Sequence, residues 1–154
     1  MDLPEVSHIG FIVNDINESE KRFGEIFHVN FKIYDFRPQH AWAYGEEIEG
    51  LYFPIGMGTP ENGPSIEIIQ PVSGESKQPM KFLDTNGRMI HHLAYKVTNE
   101  YFDDWKDHFQ KNLGASIVFE AEIEDEDIGY RRTFYAQVKD TEGLIEIATY
   151  PVKR

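Results

Sequence analysis

Apolar and polar residues alternate along two stretches of the chain that resemble each other. Residues 7–13 read SHIGFIV and residues 91–97 read HHLAYKV. A period of two predicts a strand with one buried face. Aligning the stretches places His8 on His92 rather than on His91. Since neighbouring side chains on a strand point to opposite faces, at most one histidine of the pair can enter a given interior.

A helical pattern follows each of these strands. Asn14 and Asp15 stand where the first helix can be capped, Asn99 can cap the second, and Gly114 ends it. The inward-facing positions have helical spacing: Ile16, Phe23, Ile26 and Phe27, then Phe102, Trp105, Phe109 and Leu113. The other predicted strands are 31–36, 42–44, 47–55 with a bulge at Gly50, 65–71, 116–119, 132–138 and 144–148. Residues 56–64 predict a turn-rich connector.

The last strand of each half carries a glutamate between aliphatic residues and is followed by a proline. Residues 65–71 read SIEIIQP and residues 144–151 read LIEIATYP. Each half is therefore predicted as a strand with a histidine, a helix, two strands and a strand with a glutamate. The polar stretch 74–78 is the predicted hinge between them. Neither half has enough core alone, so we expect the two to pair their sheets around a shared interior.

Two histidines and two glutamates can converge if each half presents its pair to that interior. They are His8, Glu67, His92 and Glu146. Imidazole and carboxylate without thiolate suit nickel, cobalt, manganese, iron or zinc. Such an ion polarises a carbonyl, and a nearby carboxylate can take a proton from the adjacent carbon. A single histidine or glutamate is more often structural or solvent-facing, but their pairing in both halves favours the metal site.

Composition narrows the classes of partner. The formal net charge is −12, from 15 Lys and Arg against 27 Asp and Glu. This surface repels phosphate backbones and anionic lipid, so we expect neither nucleic acid nor membrane as a partner. The chain has no cysteine, which excludes disulfides, thiolate metal sites and a cysteine nucleophile. The N-terminus lacks a signal-like pattern, so we expect a soluble, cytoplasmic protein.

Residues 80–95 are similar to the pattern of methylmalonyl-CoA epimerases, in which a Phe-Leu turn precedes a His-His strand. Over essentially its whole length the chain resembles the vicinal oxygen chelate superfamily. That superfamily includes glyoxalase I, methylmalonyl-CoA epimerase, extradiol dioxygenases and antibiotic-resistance proteins. The resemblance implies a single α+β domain over 1–154, with two βαβββ modules, 3–71 and 88–151. Their curved mixed sheet would surround a shared metal cavity.

The resemblance also implies roles for particular residues. The four positions of the family's metal ligands fall on His8, Glu67, His92 and Glu146. We therefore expect a metal-dependent lyase or isomerase that moves a proton next to a carbonyl, like methylmalonyl-CoA epimerase or glyoxalase I. Glu146 would be both ligand and base, and Glu47 or Glu49, in the strand expected before Glu67, would serve the opposite face. The implied cofactor is one divalent ion (cobalt, nickel, manganese or zinc), the implied substrate an acyl-CoA or thiol adduct, and the implied assembly a homodimer.

Several alternatives stay open. Residues 129–143 lack the His-Pro-Lys-like turn of epimerases, and residues 37–63 contribute aromatic side chains that could line a substrate pocket: Trp42, Tyr44 and Tyr52. Arg131 and Arg132 point opposite ways on a predicted strand, and either could pair with a substrate anion or form a surface salt bridge. A non-catalytic small-molecule binding module is the alternative from another class. An extradiol dioxygenase is less favoured, because Glu67 would occupy a position that oxygen chemistry needs.

Overall fold

A computed structural model of the chain describes residues 1–71, 80–85 and 87–154. The predicted hinge at 74–78 lies outside these residues. The strands are β1 Val6–Ile12, β2 Phe31–Phe36, β3 His40–Ala43, β4 Glu46–Glu47, β5 Phe53–Gly58, β6 Ser65–Ile69, β7 His92–Val97, β8 Ser116–Asp125, β9 Gly129–Gln137 and β10 Leu144–Thr149. The helices are α1 Ile16–Phe27 and α2 Phe102–Asp107, with 3-10 turns at Met80–Leu83 and Asn99–Tyr101 and a π turn at His108–Asn112.

All ten strands form one mixed sheet in the order β2-β5-β6-β1-β7-β10-β9-β8-β3-β4. In each half the first and last strands are parallel neighbours, β1 with β6 and β7 with β10. The two halves meet where β1 pairs antiparallel with β7. The predicted α+β fold of two repeated modules in a curled sheet is confirmed, with β1, β2, β5 and β6 in the first module's half of the sheet and β7 to β10 in the second.

The helices cover one face of the sheet. Ile66 and Ile68 of β6 pack towards α1, and Ile147 of β10 packs towards α2. Because side chains alternate along a strand, Glu67 and Glu146 project to the opposite, concave face. No helix among the described residues is long and apolar enough to cross a membrane.

Two predicted core positions on the helices are wrong. Ile26 is 65% exposed. At about 100° per residue it lies roughly 80° away from the stripe that begins at Ile16, so it misses the sheet. Leu113 is 44% exposed, because the π turn before it shifts it out of helical register; its amide bonds the carbonyl of His108 at 3.2 Å. Asp15 does cap α1, accepting a hydrogen bond from the Glu18 amide at 3.0 Å.

The predicted strand 47–55 is interrupted. Tyr44 and Gly45 both have positive φ (51° and 80°), which makes the tight turn of the β3–β4 hairpin. The strand is interrupted a second time around Gly50, which has a φ of 65°, before β5 begins. This hairpin belongs to neither repeat, and it pairs with β8, at the far edge of the second module.

Candidate metal site and cavity

Four side chains from the four central strands meet on the concave face, all of them buried. The Nε2 atoms of His8 and His92 are 3.1 Å apart. Oε2 of Glu146 lies 3.0 Å from Nε2 of His8 and 3.2 Å from Nε2 of His92. The Glu67 carboxylate lies 3.6 Å from His8 and 3.5 Å from His92. The structure thus brings together the four residues that the sequence singled out.

The geometry of His8, Glu67 and His92 fits one divalent ion, and Glu146 lies beside both histidines. Ligand atoms about 2.0–2.2 Å from an ion lie about 3.0 Å apart in octahedral and about 3.5 Å apart in tetrahedral geometry. The distances from each histidine to the other three groups fall close to these values. Atom Oε1 of Glu67 is buried and accepts no hydrogen bond, so its lone pairs are available to an ion. Ligand atoms of His8, Glu67 and His92 all lie within 4.8 Å of one another.

His91 lies outside this cluster and is hydrogen-bonded to the Nδ1 atom of His92, the ring nitrogen that faces away from the cluster. Its Nε2 is 2.5 Å from the carbonyl oxygen of Phe82, which can only accept, so this nitrogen carries a proton. Its Nδ1 is 2.8 Å from Nδ1 of His92. Burial, followed by the neighbouring His92, lowers the pKa of His91 to about 4. A neutral His91 therefore accepts from His92 Nδ1–H, which leaves the lone pair of His92 on Nε2, facing the cluster.

The two carboxylates have different surroundings. The Thr133 hydroxyl donates to Glu146 at 2.6 Å. Burial alone would raise the pKa of Glu146, but His8 and His92 outweigh it and hold that pKa well below its usual range. Burial raises the pKa of Glu67, which its histidine neighbours only partly offset. Burial also opposes protonation of His8, yet Glu67 and Glu146 together raise its pKa.

Gly10 leaves room for the His92 ring, a role that the alignment of the two histidine strands did not reveal. A Cβ atom placed on Gly10 would lie 2.0 Å from Cε1 of His92. Gly10 pairs with His92 across the β1–β7 junction, so the His92 ring occupies the space of the missing side chain. The signal was present in the sequence as a small residue two places after each histidine, Gly10 and Ala94.

A cavity of about 240 Å³ lies over the cluster. One side is built from β5, with Phe53, Ile55 and Met57, and we call it the apolar wall. The facing side is built from β9, with Arg131, Thr133 and Tyr135, and we call it the polar wall. The Tyr135 ring stacks on His92 with centroids 4.9 Å apart.

Glu47 and Glu49 do not lie where the sequence predicted. The strand next to β6 is β5, which has no carboxylate, because the β3–β4 hairpin carries the intervening acids to the far edge of the sheet. Glu47 is exposed on β4, 3.6 Å from Nδ1 of His40, and Glu49 is exposed after it. Among the described residues that line the cavity, the carboxylates are Glu67 and Glu146. Because neither residue lines the cavity, the catalytic role expected of Glu47 or Glu49 from the sequence is left to a direct test by substitution.

The three aromatic residues predicted as pocket lining are also elsewhere. Trp42 stacks on His40 of the same hairpin, with centroids 6.0 Å apart. Tyr52 packs under Arg37, and Tyr44 borders a separate surface cavity. None of the three lines the cavity over the cluster.

The two adjacent arginines of β9 separate. Arg132 makes two hydrogen bonds to Asp103, at 2.6 and 3.0 Å, and lies over the Phe102 ring on the helix side. Arg131 belongs to the polar wall and lines the cavity together with Tyr34. Burial first, and Glu67 next, raise the pKa of Tyr34 to about 12, so Tyr34 is an uncharged hydroxyl at neutral pH.

Comparison with known proteins identifies the family. Residues 7–134 match the glyoxalase/bleomycin resistance protein/dioxygenase superfamily, which is the vicinal oxygen chelate group. The chain belongs to this superfamily. No curated protein matches the sequence.

Solved structures share the fold at low sequence identity. Methylmalonyl-CoA epimerase from Mycobacterium tuberculosis has a TM-score of 0.62 at 20% identity, covering 97% of this chain and 89% of its own. A variant of the Streptomyces coelicolor methylmalonyl-CoA epimerase, in complex with 2-nitronate-propionyl-CoA, has a TM-score of 0.61 at 19% identity, covering 98% and 100%. A glyoxalase I mutant from Zea mays has a TM-score of 0.58 at 10% identity, covering 99% of this chain and 46% of its own.

Proposed function

We propose that the protein is a divalent-metal-dependent enzyme that moves a proton on the carbon next to a carbonyl, as an epimerase acting on a thioester. The observation that carries the proposal is the buried cluster of two imidazoles and two carboxylates beneath a small cavity. Superfamily membership and epimerase neighbours support the reaction class. A glyoxalase I-type reaction on a thiol adduct uses the same chemistry at the carbonyl.

His8, Glu67, His92 and Glu146 would hold the ion, which we expect to be cobalt, nickel, manganese or zinc. A bound divalent ion would supply Lewis acidity to a carbonyl oxygen of the substrate, making the adjacent C–H bond more acidic. His91 keeps the His92 lone pair directed into the cluster.

Glu146 is the base in this proposal. Its carboxylate is ionised because the histidines lower its pKa, and Thr133 fixes its Oε1 atom, leaving Oε2 directed to the cluster. A carboxylate in this position can take a proton from a carbon above the cluster and return it to the same face, which gives exchange with solvent. Inversion at that carbon also requires a proton delivered to the opposite face. The apolar wall excludes water from that carbon, which strengthens each electrostatic interaction in the cavity.

Two measurements test this function. Elemental analysis of the purified protein should find about one divalent ion per chain, and Glu146→Gln should exchange α-protons far more slowly than wild type. Exchange is followed by NMR in D₂O against a panel of acyl thioesters and hemithioacetals; loss of a general base lowers rates by about 10²–10⁴-fold. Ligand binding without exchange of any panel member would instead establish a binding module. Light scattering tests the expected homodimer, and a monomer of 17.9 kDa would contradict it.

A further inference from the structure

Inversion at the acidic carbon needs a proton donor that the cluster does not supply. Among the described residues that line the cavity, the two carboxylates, Glu67 and Glu146, both belong to the cluster. A proton that Glu146 takes from the carbon returns to the face from which it came. The donor for the opposite face is therefore a protonated group that reaches the cavity from another side.

The strand β2 brings a side chain into the cavity from the side that faces the cluster. The ring of Phe36 on β2 stacks on Phe53 of β5 and has its centroid 6.5 Å from that of Phe119 on β8, so the two arms of the curled sheet meet across the concave face. Tyr34 lies two residues before Phe36 and points to the same face of the strand. It packs against this core and lines the cavity.

The cavity is small enough for a bound group to contact both sides. At about 30 Å³ per water-sized group, 240 Å³ holds roughly eight non-hydrogen atoms. A short acyl group fills this space. A carbon held over the cluster then has Glu146 on one side and the phenol of Tyr34 on the other.

The other acidic groups in the cavity lie on the side of Glu146. Tyr135 pairs with Glu146 between β9 and β10, and its ring stacks on His92. Lys96 is on β7, the strand next to the one that carries Glu146. The guanidinium of Arg131 does not give up a proton, and aliphatic hydroxyls are weaker acids than a phenol. The donor that remains for the opposite face is the phenol on β2.

This phenol is a feature of the first module alone. Tyr34 pairs with Ile55 on β5, and the equivalent pair of the second module joins Ala121 on β8 to Thr133 on β9. An alanine has no proton to give. The two modules therefore supply unlike groups, a carboxylate from the second and a phenol from the first.

The surroundings of Tyr34 suit a proton donor. Burial first, and Glu67 next, raise its pKa, which keeps the hydroxyl protonated at neutral pH. The positive charge of Arg131 opposes this rise. The same charge would stabilise the phenolate once the proton has been given away.

We propose that Tyr34 is the general acid on the second face of the substrate carbon. Glu146 removes the α-proton from one face, and the electron pair of the C–H bond moves into the carbonyl to give an enolate. The hydroxyl of Tyr34 then donates its proton to the other face, where a new C–H bond forms and a phenolate is left. The proton on Glu146 returns to Tyr34 through solvent, and for the other epimer the two groups exchange roles. This inference rests on the proposed function for the reaction.

Proton exchange on a racemic substrate separates the two faces. Cobalt-loaded wild type in D₂O should replace all α-protons of racemic methylmalonyl-CoA, followed by NMR, because each epimer presents its proton to one of the two groups. Tyr34→Phe keeps the ring and removes the hydroxyl. It should exchange one half of the α-protons at close to the wild-type rate and the other half about 10²–10⁴-fold more slowly. The half that still exchanges shows that this variant is folded and holds its metal.

The matched control is Tyr52→Phe, which alters a tyrosine that packs under Arg37 away from the cavity and should exchange all α-protons as wild type does. Complete exchange at the wild-type rate in Tyr34→Phe, or equal slowing of both halves, would overturn the inference. A loss of one half in Tyr135→Phe instead would assign the donor to the other phenol.

The wild type alone tells the two proposals apart. If it exchanged only one half of the α-protons, the proton-transfer function would stand and a donor on the second face would be rejected. If it exchanged neither half, the proposed function on this thioester and the inference would both be rejected.

Discussion

The two modules supply the same ligands on the same backbone, yet they build opposite walls of the cavity. Glu67 pairs with Met57 on β5, and Glu146 pairs with Tyr135 on β9. Counting from these pairs gives three equivalent positions, apolar first and polar second: Met57 and Tyr135, Ile55 and Thr133, Phe53 and Arg131. Duplication places the four candidate metal ligands symmetrically, and the side chains on β5 and β9 make the cavity asymmetric.

This asymmetry extends to the support of the ligands. Thr133 holds Glu146, whereas its equivalent Ile55 has no group to donate to Glu67. His91 and Tyr135 contact His92 directly. In the second module a ligand is therefore held by its neighbours, and in the first Glu67 keeps a free buried oxygen.

The largest effect should come from Gly10→Ala. The new methyl group would occupy the position of the His92 ring, so the ring must leave the cluster. We expect metal affinity to fall by at least about 100-fold and the protein to lose about 1–3 kcal/mol of stability from overpacking. The matched control is Ala94→Gly, the equivalent position of the second module, which should keep its metal. Equal metal content in Gly10→Ala and wild type, measured by elemental analysis, would contradict the packing argument.

His91→Phe should weaken metal binding by about 10- to 100-fold, because His92 loses the acceptor that fixes its tautomer. His91→Gln can still accept from His92 and donate to Phe82, and should restore most of the affinity. The metal-free protein gives a second readout. Since the folded-state pKa of His91 is about 4 against 6.5 unfolded, the unfolded chain binds more protons between these values. The contribution of His91 to stability should thus rise with pH across this window, by on the order of 3 kcal/mol at most.

Denaturant melts at pH 4, 5, 6 and 7 measure this slope, and His91→Gln should flatten it. A metal-free wild type whose pH slope equals that of His91→Gln would show that His91 is not held neutral in the fold. His92→Ala is the reference for complete loss of the ligand. If His92→Ala retained the metal and His91→Ala lost it, His91 rather than His92 would be the ligand.

Thr133→Val should destabilise the metal-free protein by about 1–3 kcal/mol, since a buried carboxylate loses a donor. Glu146 has a lowered folded-state pKa, so its contribution is present above the unfolded pKa and is lost as pH falls through the folded value. Removing the Thr133 hydroxyl raises that folded value, and acid unfolding should begin at higher pH. Ile55→Val, at the equivalent position of the apolar wall, should leave the pH midpoint of acid unfolding unchanged. If Ile55→Val raised this midpoint as much as Thr133→Val does, the two walls would not differ in how they support the carboxylates.

The smallest effects should come from the hairpin that belongs to neither repeat. Glu47→Gln and Glu49→Gln alter exposed residues away from the cavity lining, so we expect exchange rates within about threefold of wild type and unchanged metal content. A drop of about 10²–10⁴-fold in either variant would show that this residue is a catalytic base after all.

The sequence predicted the repeated features and missed those that occur once. His8 and His92 align in one register, and Glu67 and Glu146 follow from strand alternation, so the cluster could be inferred without coordinates. The β3–β4 hairpin has no counterpart in the other half to reveal it. The position of the hairpin in the chain does not reveal that it pairs with β8. For that reason Glu47 and Glu49 were expected in the strand next to Glu67, where the structure does not place them.

The contacts that each side chain makes were the second feature that the sequence could not predict. Alternation predicted that Arg131 and Arg132 point opposite ways, but only the position of Asp103 on α2 identifies Arg132 as the paired one. The role of Gly10 depends similarly on the register between β1 and β7, which long-range pairing determines.

The antiparallel junction of β1 and β7 has a consequence for the order of folding. His8 and Glu146 are 138 residues apart in the chain, and the cluster needs all four central strands in place. Contacts of such long sequence separation form slowly, after local structure, because chain closure must precede them. We therefore expect the four-residue cluster to assemble late. An ion that binds only the assembled cluster would stabilise the folded state by mass action, by about 4 kcal/mol at a thousand times its dissociation constant. The same four residues to which we assign the chemistry would thus, with the ion, join the two halves of the sheet in a late step of folding.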